Sequence, residues 1–272
     1  MDNTELKKHA INVRRGIIEG THAASSGHPG GSLSAAEIFT YLYFEEMNVD
    51  PKDPKKTDRD RFVLSKGHTA PGLYAVLAEK GYFPPSDLKS LRHVGAHLQG
   101  HPCVTHTPGI DASSGSLGQG ISVACGMAIS AKLFKDDFRV YTLLGDGEIE
   151  EGQVWEASMF AASRKLDNLT VIVDNNDLQI DGRVSDVCNI YPIDKKFEAF
   201  NFNVININGH DFDEIRAAFK AARECTDKPT AIIMKTIKGK GVSYMEDNAG
   251  WHGKAPNAEE YEKAIADIRA SA

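Results

Sequence analysis

Two oxygen-bearing side chains follow two apolar segments of the sequence. Asp146 stands between glycines directly after the apolar segment 140–144, and Asn176 closely follows the apolar segment 169–173. A carboxylate oxygen and an amide oxygen suit Mg²⁺, which takes its remaining ligands from phosphates and water. The pair therefore predicts a magnesium site, provided that the two segments are neighbouring strands. The alternative is two ordinary strand-end turns, in which Asp, Asn and Gly are common.

The residues after Asp146 indicate a phosphate site beside the metal. Glu148, Glu150 and Glu151 are acidic, as is typical of the first turn of a helix, and we expect that helix to continue to about Leu166. Free backbone N–H groups at a helix start bind phosphate, and here they would belong to Gly147 and Glu148.

Apolar patterning predicts the elements that position these groups. Segments 140–144 and 169–173 are apolar apart from one threonine in each, as in strands buried on both faces, and further strands are predicted at 61–64, 203–207 and 230–236. Helices are predicted between them. This alternation favours an α/β fold with a parallel sheet flanked by helices. Ligands of such sheets bind beyond the carboxyl ends of the strands, where Asp146 and Asn176 fall. The predicted helices cover residues 4–24, 34–47, 71–80, 121–132, 193–200, 213–224 and 258–268.

Composition argues against a nucleic-acid-binding, membrane-spanning or secreted protein. The 272 residues are 41% apolar, enough for one large α/β domain or two small ones, and the net charge of −7 without a basic run argues against nucleic acid. No apolar stretch approaches the length of a membrane span, and the N-terminus lacks the apolar core of a signal peptide. Four scattered cysteines suit a reducing compartment. We therefore expect a cytoplasmic globular protein that contacts no membrane.

Two histidines and a lysine lie in glycine-rich loops. His28 lies in the glycine- and proline-rich loop 25–31, where packing gives no reason for a histidine, although exposed loop histidines are common. His68 follows a predicted strand and a glycine turn at a helix start, which is anion-binding geometry. Lys238 stands beside glycine after the last predicted strand and is a plausible phosphate contact.

Segment 93–106 contains the densest group of histidines. Three of them are spaced four residues apart, which on a helix would align them as metal ligands. Glycine and proline make a continuous helix improbable there, and no second pair of cysteines completes a zinc site. The sequence therefore does not favour zinc. Three histidines of this segment are interpreted as structural or surface residues, namely His93, His97 and His106.

Several segments, in order, resemble transketolases. The unit 139–182 resembles their thiamine-diphosphate-binding motif, which begins Gly-Asp-Gly and closes on Asn-Asn or a variant. Five other matches are Ser-Gly-His-Pro-Gly at 26–30, Ser-Lys-Gly-His at 65–68, Gly-His-Pro at 100–102, Gly-Ser-Leu-Gly-Gln-Gly at 115–120 and the segment around His252. The resemblance covers about residues 5–268. It implies a thiamine-diphosphate-binding fold in which residues 1–272 form a single diphosphate-binding (PP) domain.

The resemblance also implies roles for individual residues. Asp146, Asn176 and the backbone carbonyl of Leu178 would hold Mg²⁺, or Ca²⁺ or Mn²⁺ in its place, and so anchor the cofactor diphosphate. Ile180 would lie against the thiazolium ring. The catalytic histidines that face the substrate would be His28, His68, His101 and His252. Thiamine diphosphate would be bound by His68, Gly115, Ser116, Leu117, Gly147, Glu148, Glu151, Asn176, Ile180, Lys238 and His252.

Transketolases are much longer chains that also carry a pyrimidine-binding domain and a C-terminal domain. The resemblance implies that a separate C-terminal subunit supplies both, together with the catalytic glutamate at the pyrimidine N1′ and the arginines that grip a sugar phosphate. Glu151 matches the family residue that bonds to that glutamate across the subunit interface. We therefore expect an α₂β₂ transketolase that moves a two-carbon ketol unit from a ketose to an aldose phosphate, as in the pentose phosphate pathway.

Two other functions remain open at this point. The α subunit of a thiamine-dependent 2-oxoacid dehydrogenase also binds the diphosphate and needs a second chain, although the four histidines favour sugar hydroxyls over a 2-oxoacid. A catalytically silent cofactor-binding module would keep the same motifs without turnover.

Overall fold

The computed structural model describes residues 1–270, and five parallel strands form its central sheet. The sheet contains β1 (Arg61–Leu64), β2 (Val140–Gly145), β3 (Leu169–Asn175), β6 (Asn203–Asn208) and β7 (Thr230–Lys235), in the spatial order β1-β2-β3-β7-β6. A short antiparallel hairpin, β4 (Leu178–Gln179) and β5 (Gly182–Arg183), follows β3. The predicted α/β class with a parallel sheet is therefore confirmed.

Helices cover both faces of the sheet. Ile172 of the central strand β3 packs into one apolar cluster, whereas its neighbours Val171 and Val173 pack into the other. Successive side chains of a strand point to opposite faces, so this alternation shows that β3 is buried on both sides, as its apolar sequence predicts. The helices are α1 (Asn3–Ala23), α2 (Pro29–Ser34), α3 (Ala36–Tyr41), α4 (Ala70–Lys80), α5 (Gly120–Phe134), α6 (Gly152–Ser163), α7 (Val184–Val187), α8 (Ile193–Ala199), α9 (Phe212–Glu224) and α10 (Ala258–Ala270).

Three of the predicted segments were wrong in part. The helix predicted over 34–47 is broken at Ala35, and after Tyr41 it continues as a π-helix, Leu42–Glu46. The loop predicted at 25–31 ends at His28, because α2 begins at Pro29. Proline is favoured at the first position of a helix, where its missing N–H has no partner to lose. The helix predicted after Asp146 is interrupted: a short 3₁₀ segment, Gly147–Glu150, precedes α6, and Glu151 between them has an extended backbone with ψ of 129°.

The register of the sheet brings the loops after several strands to one edge. Gly145 at the end of β2 pairs with Asp174 near the end of β3, and Asn175 pairs with Lys235 at the end of β7. The segments that follow these strands therefore meet above the same edge. Within residues 1–270, no helix has the length and apolar character needed to span a membrane.

Candidate functional site

A cavity of about 280 Å³ lies at this edge of the sheet. Most of the predicted site residues line it: His68, Gly115, Leu117, Asp146, Gly147, Glu148, Asn176, Leu178, Ile180, Lys238 and His252. A more open cleft of about 630 Å³ lies beside the ends of β6 and β7 and contains none of the predicted site residues. We therefore assign the candidate site to the smaller cavity, because the chemistry-bearing side chains converge there.

Three oxygen donors in this cavity fit a hard cation. Asp146 is 3% exposed, and its carboxylate accepts hydrogen bonds from the backbone N–H groups of Gly147 (2.9 Å) and Asp177 (2.5 Å). The amide oxygen of Asn176 and the carbonyl oxygen of Leu178 belong to residues lining the same cavity. Burial, with the negative charge of Asp174 nearby, raises the pKa of Asp146 to about 7. A divalent cation would compensate the buried negative charge of this carboxylate, so Asp146 fits a metal site.

A buried ion pair that our sequence interpretation missed stands beneath the cavity. Asp174 is completely buried near the end of β3 and is paired with Lys66, which is 2% exposed. Its carboxylate also accepts hydrogen bonds from Ser34 (2.5 Å), Asn176 (3.2 Å) and Thr236. Burial alone would raise the pKa of Asp174, but the Lys66 charge and these hydrogen bonds outweigh it and hold the pKa below its usual value.

The carboxylate of Glu148 accepts hydrogen bonds from three segments. It accepts hydrogen bonds from the hydroxyl of Ser65 and, at 2.9 Å each, from the backbone N–H groups of Gly118 and Gly145. Glu148 therefore ties the segments after β1 and β2 to the turn before α5. The sequence predicted that Glu148 binds phosphate through its backbone N–H. The structure shows that its side chain also holds the surrounding segments together.

Three of the four predicted catalytic histidines form a cluster. The ring centroids of His28, His68 and His252 lie 5.0 to 5.4 Å from one another. Burial is the main reason that the pKa of each is depressed, with help from nearby positive charges: to about 4 for His28, to about 3 for His252 and well below 6.5 for His68. The rings are thus neutral near pH 7, and each can donate one hydrogen bond and accept another.

One buried nitrogen of this cluster has no hydrogen-bond partner in the described residues. The Nδ1 atom of His28 is buried and has no hydrogen-bond partner among residues 1–270. Unsatisfied buried polar atoms are rare, and a bound ligand or water commonly explains them. By contrast, Nδ1 of His252 lies 2.9 Å from the ammonium of Lys238, which also donates to the Leu178 carbonyl oxygen at 2.8 Å. His28 itself does not line the cavity and joins the site through its ring contacts with His68 and His252, which do.

His101 lies at the mouth of the site. It is exposed, and a Cβ atom built on Gly115 would be 3.4 Å from Cγ of its ring, so the imidazole lies close to that glycine. Arg92, which sequence reasoning also missed, donates hydrogen bonds to Ser26 (2.9 Å) and to the Gly100 carbonyl (3.3 Å). Arg92 therefore joins the loop that carries His28 to the loop that carries His101.

Glycine is required at position 67, where the loop after β1 packs against the loop that contains Gly115. A Cβ atom on Gly67 would lie 2.7 Å from the Ser114 hydroxyl and 2.9 Å from the Gly115 nitrogen, closer than real Cβ contacts allow. The Ser-Lys-Gly-His segment thus needs its glycine to pack against the Gly115 loop. This close approach is a packing reason for the motif, separate from any contact with a ligand.

The remaining predicted site residues face solvent. Ser116 and Glu151 are exposed and do not line the cavity, whereas Leu117 and Ile180 lie on its rim with 37% and 66% of their surfaces exposed. Of the histidines predicted to be structural or surface residues, His97 hydrogen-bonds Asp87 (3.2 Å) and His106 lies 3.0 Å from the sulfur of Cys103. These contacts lie outside the cavity.

Comparison with known proteins identifies the family of this chain. Residues 6–268 match the family model described as "Transketolase, thiamine diphosphate binding domain". The chain is 42% identical to the 6-deoxy-6-sulfo-D-fructose transketolase subunit SqwG of Clostridium sp. (strain MSTE9), covering 97% of this chain and 96% of that subunit. It is also 42% identical to an apulose-4-phosphate transketolase subunit of Phocaeicola vulgatus, covering 94% and 90% of the two chains.

Longer proteins match over part of their length. The chain is 46% identical to the transketolase of Homo sapiens, covering 97% of this chain but 42% of that protein. The crystal structure of the transketolase from Campylobacter jejuni superimposes with a TM-score of 0.93 at 35% identity, covering 99% of this chain and 43% of that one. This chain therefore spans about two-fifths of the full-length transketolases and nearly all of the two subunits.

We expect Lys66→Met to lower the free energy of unfolding by about 3–5 kcal/mol, because it leaves the Asp174 charge buried without its main partner. Denaturant unfolding of the free chain measures this. Lys235→Met is the matched control: Lys235 is exposed at the end of β7, and its loss should change stability by less than about 0.5 kcal/mol. Equal losses in the two variants would contradict the role of the ion pair.

Proposed function

The chain belongs to the transketolase family and spans its thiamine diphosphate-binding domain, and from this premise we propose that it is the N-terminal subunit of a two-chain transketolase. The two relatives that it covers almost completely are named as transketolase subunits, which supports this assignment. The proposed reaction transfers a two-carbon ketol unit from a ketose phosphate to an aldose phosphate. A place in the pentose phosphate pathway and a cytoplasmic location remain predictions.

The observation that carries the proposal is the convergence of oxygen donors, a lysine and neutral histidines on one cavity. Asp146, Asn176 and the Leu178 carbonyl would hold Mg²⁺, or Ca²⁺ or Mn²⁺ in its place, and Lys238 would contact the diphosphate. Bound thiamine diphosphate supplies the carbon nucleophile that accepts the two-carbon unit. Each of these groups either carries a hard oxygen or a charge complementary to a diphosphate.

The histidine cluster supplies hydrogen bonds to the sugar. His28, His68 and His252 are neutral near pH 7, so each can donate to a developing alkoxide. His28 and His68 can also accept a proton from a hydroxyl, whereas Nδ1 of His252 already accepts from Lys238 and leaves Nε2 of that ring as a donor. His101 would reach the substrate from the mouth of the cavity. Sugar hydroxyls are bound by groups that can both donate and accept hydrogen bonds. The carboxylate of a 2-oxoacid would instead be bound best by a positively charged side chain. The cluster thus supports a sugar substrate.

A second subunit is proposed because the activating carboxylate has no candidate in this cavity. Thiamine activation needs a carboxyl group held against the pyrimidine N1′. Among the described residues, the carboxylates that line the cavity belong to Asp146 and Glu148. Glu148 already accepts three hydrogen bonds that hold loops, and Asp146 is the proposed metal ligand. The partner would therefore bring the catalytic glutamate, and the exposed Glu151 would face it.

An exposed apolar face on helices α5 and α6 supports this partner. Helices α5 and α6 pack against each other, and both expose large apolar side chains, including Val123, Phe134, Met159 and Phe160. Exposed groups of apolar residues commonly mark protein interfaces. We propose that this face receives the pyrimidine-binding subunit in an α₂β₂ assembly, with residues 1–272 acting as a single diphosphate-binding domain.

The proposal is tested by mixing this chain with the product of the neighbouring gene, thiamine diphosphate, Mg²⁺, a ketose phosphate and an aldose acceptor. We expect no ketol transfer by either chain alone and transfer by the pair. Full turnover by this chain alone would refute the two-chain site. Oxidative decarboxylation of a 2-oxoacid would indicate a dehydrogenase subunit instead, and cofactor binding without activity or complex formation would indicate a silent module.

Asp146→Ala should weaken Mg²⁺-dependent binding of thiamine diphosphate by more than about 100-fold, because the diphosphate loses the cation that neutralises it. Isothermal titration calorimetry with and without Mg²⁺ measures this affinity. Asp181→Ala, an exposed aspartate on the nearby hairpin, is the matched control and should bind like the unmodified chain. Unchanged affinity in Asp146→Ala would remove this residue from the metal site.

His101→Ala should leave cofactor affinity within about twofold but lower turnover of the assembled enzyme by roughly 100-fold, because a proton donor at the reacting carbon is lost. Steady-state kinetics of the two-chain complex measure this. His93→Ala changes an exposed histidine eight positions earlier and should have no effect. If both variants turned over equally fast, His101 would have no part in the reaction.

A further inference from the structure

A buried charged network lies outside the cavity, on the side of the sheet that faces α1 and α3. Arg14 of α1 and Glu37 of α3 are 6% and 7% exposed, and Nη2 of Arg14 donates to Oε1 of Glu37 at 2.5 Å. His210, in the turn after β6, places its Nδ1 atom 3.0 Å from the other carboxylate oxygen, Oε2. The adjacent Asp211 caps α9, but His210 makes contacts that a turn does not require.

The contacts of His210 fix where its proton lies. The backbone N–H of Ile237 donates to Nε2 of His210 at 2.9 Å, so Nε2 must present a lone pair. The ring proton therefore lies on Nδ1 and is donated to Glu37. Burial would raise the pKa of Glu37, but the charge of Arg14 and the hydrogen bond from His210 outweigh it and lower the pKa to about 2. The network thus contains an ionised Glu37 and a neutral imidazole of one tautomer.

The same network holds both ends of the segment that carries Lys238. His210 accepts from Ile237 on one side, and Nε of Arg14 donates to the carbonyl oxygen of Lys240 at 3.0 Å on the other. Between them, the N–H of Gly239 donates to the Gly30 carbonyl at 2.9 Å. This segment follows β7 and belongs to no helix or strand, so these contacts fix its backbone.

We propose that Arg14, Glu37 and His210 form a positioning network for Lys238, and that His210 acts through its hydrogen bond to Ile237. The Lys238 ammonium lines the cavity, whereas His210 lies in the neighbouring open cleft and does not touch the site. The network holds the backbone of Lys238 in place before the ligand binds. Binding therefore loses less conformational entropy in this segment. This inference relies on the proposed function only for the identity of the ligand, the cofactor diphosphate.

Two substitutions of His210 separate its two contacts. A glutamine amide reaches the position of Nε2 and can accept from Ile237, whereas an asparagine amide reaches the position of Nδ1 and contacts Glu37 alone. We expect His210→Gln to bind thiamine diphosphate and Mg²⁺ within about threefold of the unmodified chain, and His210→Asn to bind at least about tenfold more weakly. Isothermal titration calorimetry on the full chain measures both affinities.

Amide hydrogen exchange of the ligand-free chain gives a readout that does not depend on the cofactor. Exchange at the Ile237 amide, which donates to His210, should be at least about tenfold faster in His210→Asn than in His210→Gln. The ¹⁵N shifts of His210 in the unmodified chain should report a neutral ring protonated at Nδ1. An Nε2-protonated ring, or equal exchange rates in the two variants, would overturn the inference.

A double-substitution cycle tests whether the effect passes through Lys238. Lys238→Ala should itself weaken binding, and adding His210→Asn to it should cause less than about a twofold further loss, because the positioned group is gone. Additive losses would show that His210 acts on binding by another route and would refute the inference. If the unmodified chain failed to bind the cofactor, the proposed function would fail, and the exchange rates would still decide the role of His210.

Discussion

The structure of the site depends on the buried ion pair between Asp174 and Lys66. A charge in a protein interior is costly unless it is paired and its remaining lone pairs are satisfied. At Asp174 this requirement is met by groups from several elements: Ser34 on α2, Lys66 after β1, Asn176 after β3 and Thr236 after β7. Because all of these groups must reach one carboxylate, the segments that carry them are held in one arrangement around the cavity.

Two other buried carboxylates repeat this construction, Glu148 in the lining of the cavity and Glu37 outside it. Glu148 binds the turn before α5 to the ends of β1 and β2, and Glu37 links α1 and α3 to the segment after β7 through Arg14 and His210. Loops rich in glycine lose much conformational entropy when they become ordered. Here buried polar contacts to these carboxylates help to fix the loops. The rigid sheet then serves as the base to which each carboxylate attaches its loops.

The sequence predicted the layers of this fold better than the contacts of its site. The apolar segments at 140–144 and 169–173 identified β2 and β3 because strands buried on both faces have a distinctive composition. The pairing of Lys66 with Asp174 was missed because these residues lie 108 positions apart, and their separate neighbourhoods contain no sign of it. The break at Glu151 was missed because acidic residues suit either a continuous helix or two short ones. The roles of individual site residues remain predictions that the experiments above test.

The open rim of the cavity affects whether the cofactor can bind before the two proposed chains associate. Leu117 and Ile180 border the cavity and leave 37% and 66% of their surfaces in contact with solvent. A small molecule can therefore enter an isolated chain without first displacing a covering segment. In a two-chain enzyme, the cofactor could then load before the two chains associate, and the loaded ring would become part of the surface that the second chain recognises. Vitamin supply would in that case govern how much complex forms as well as how fast it works.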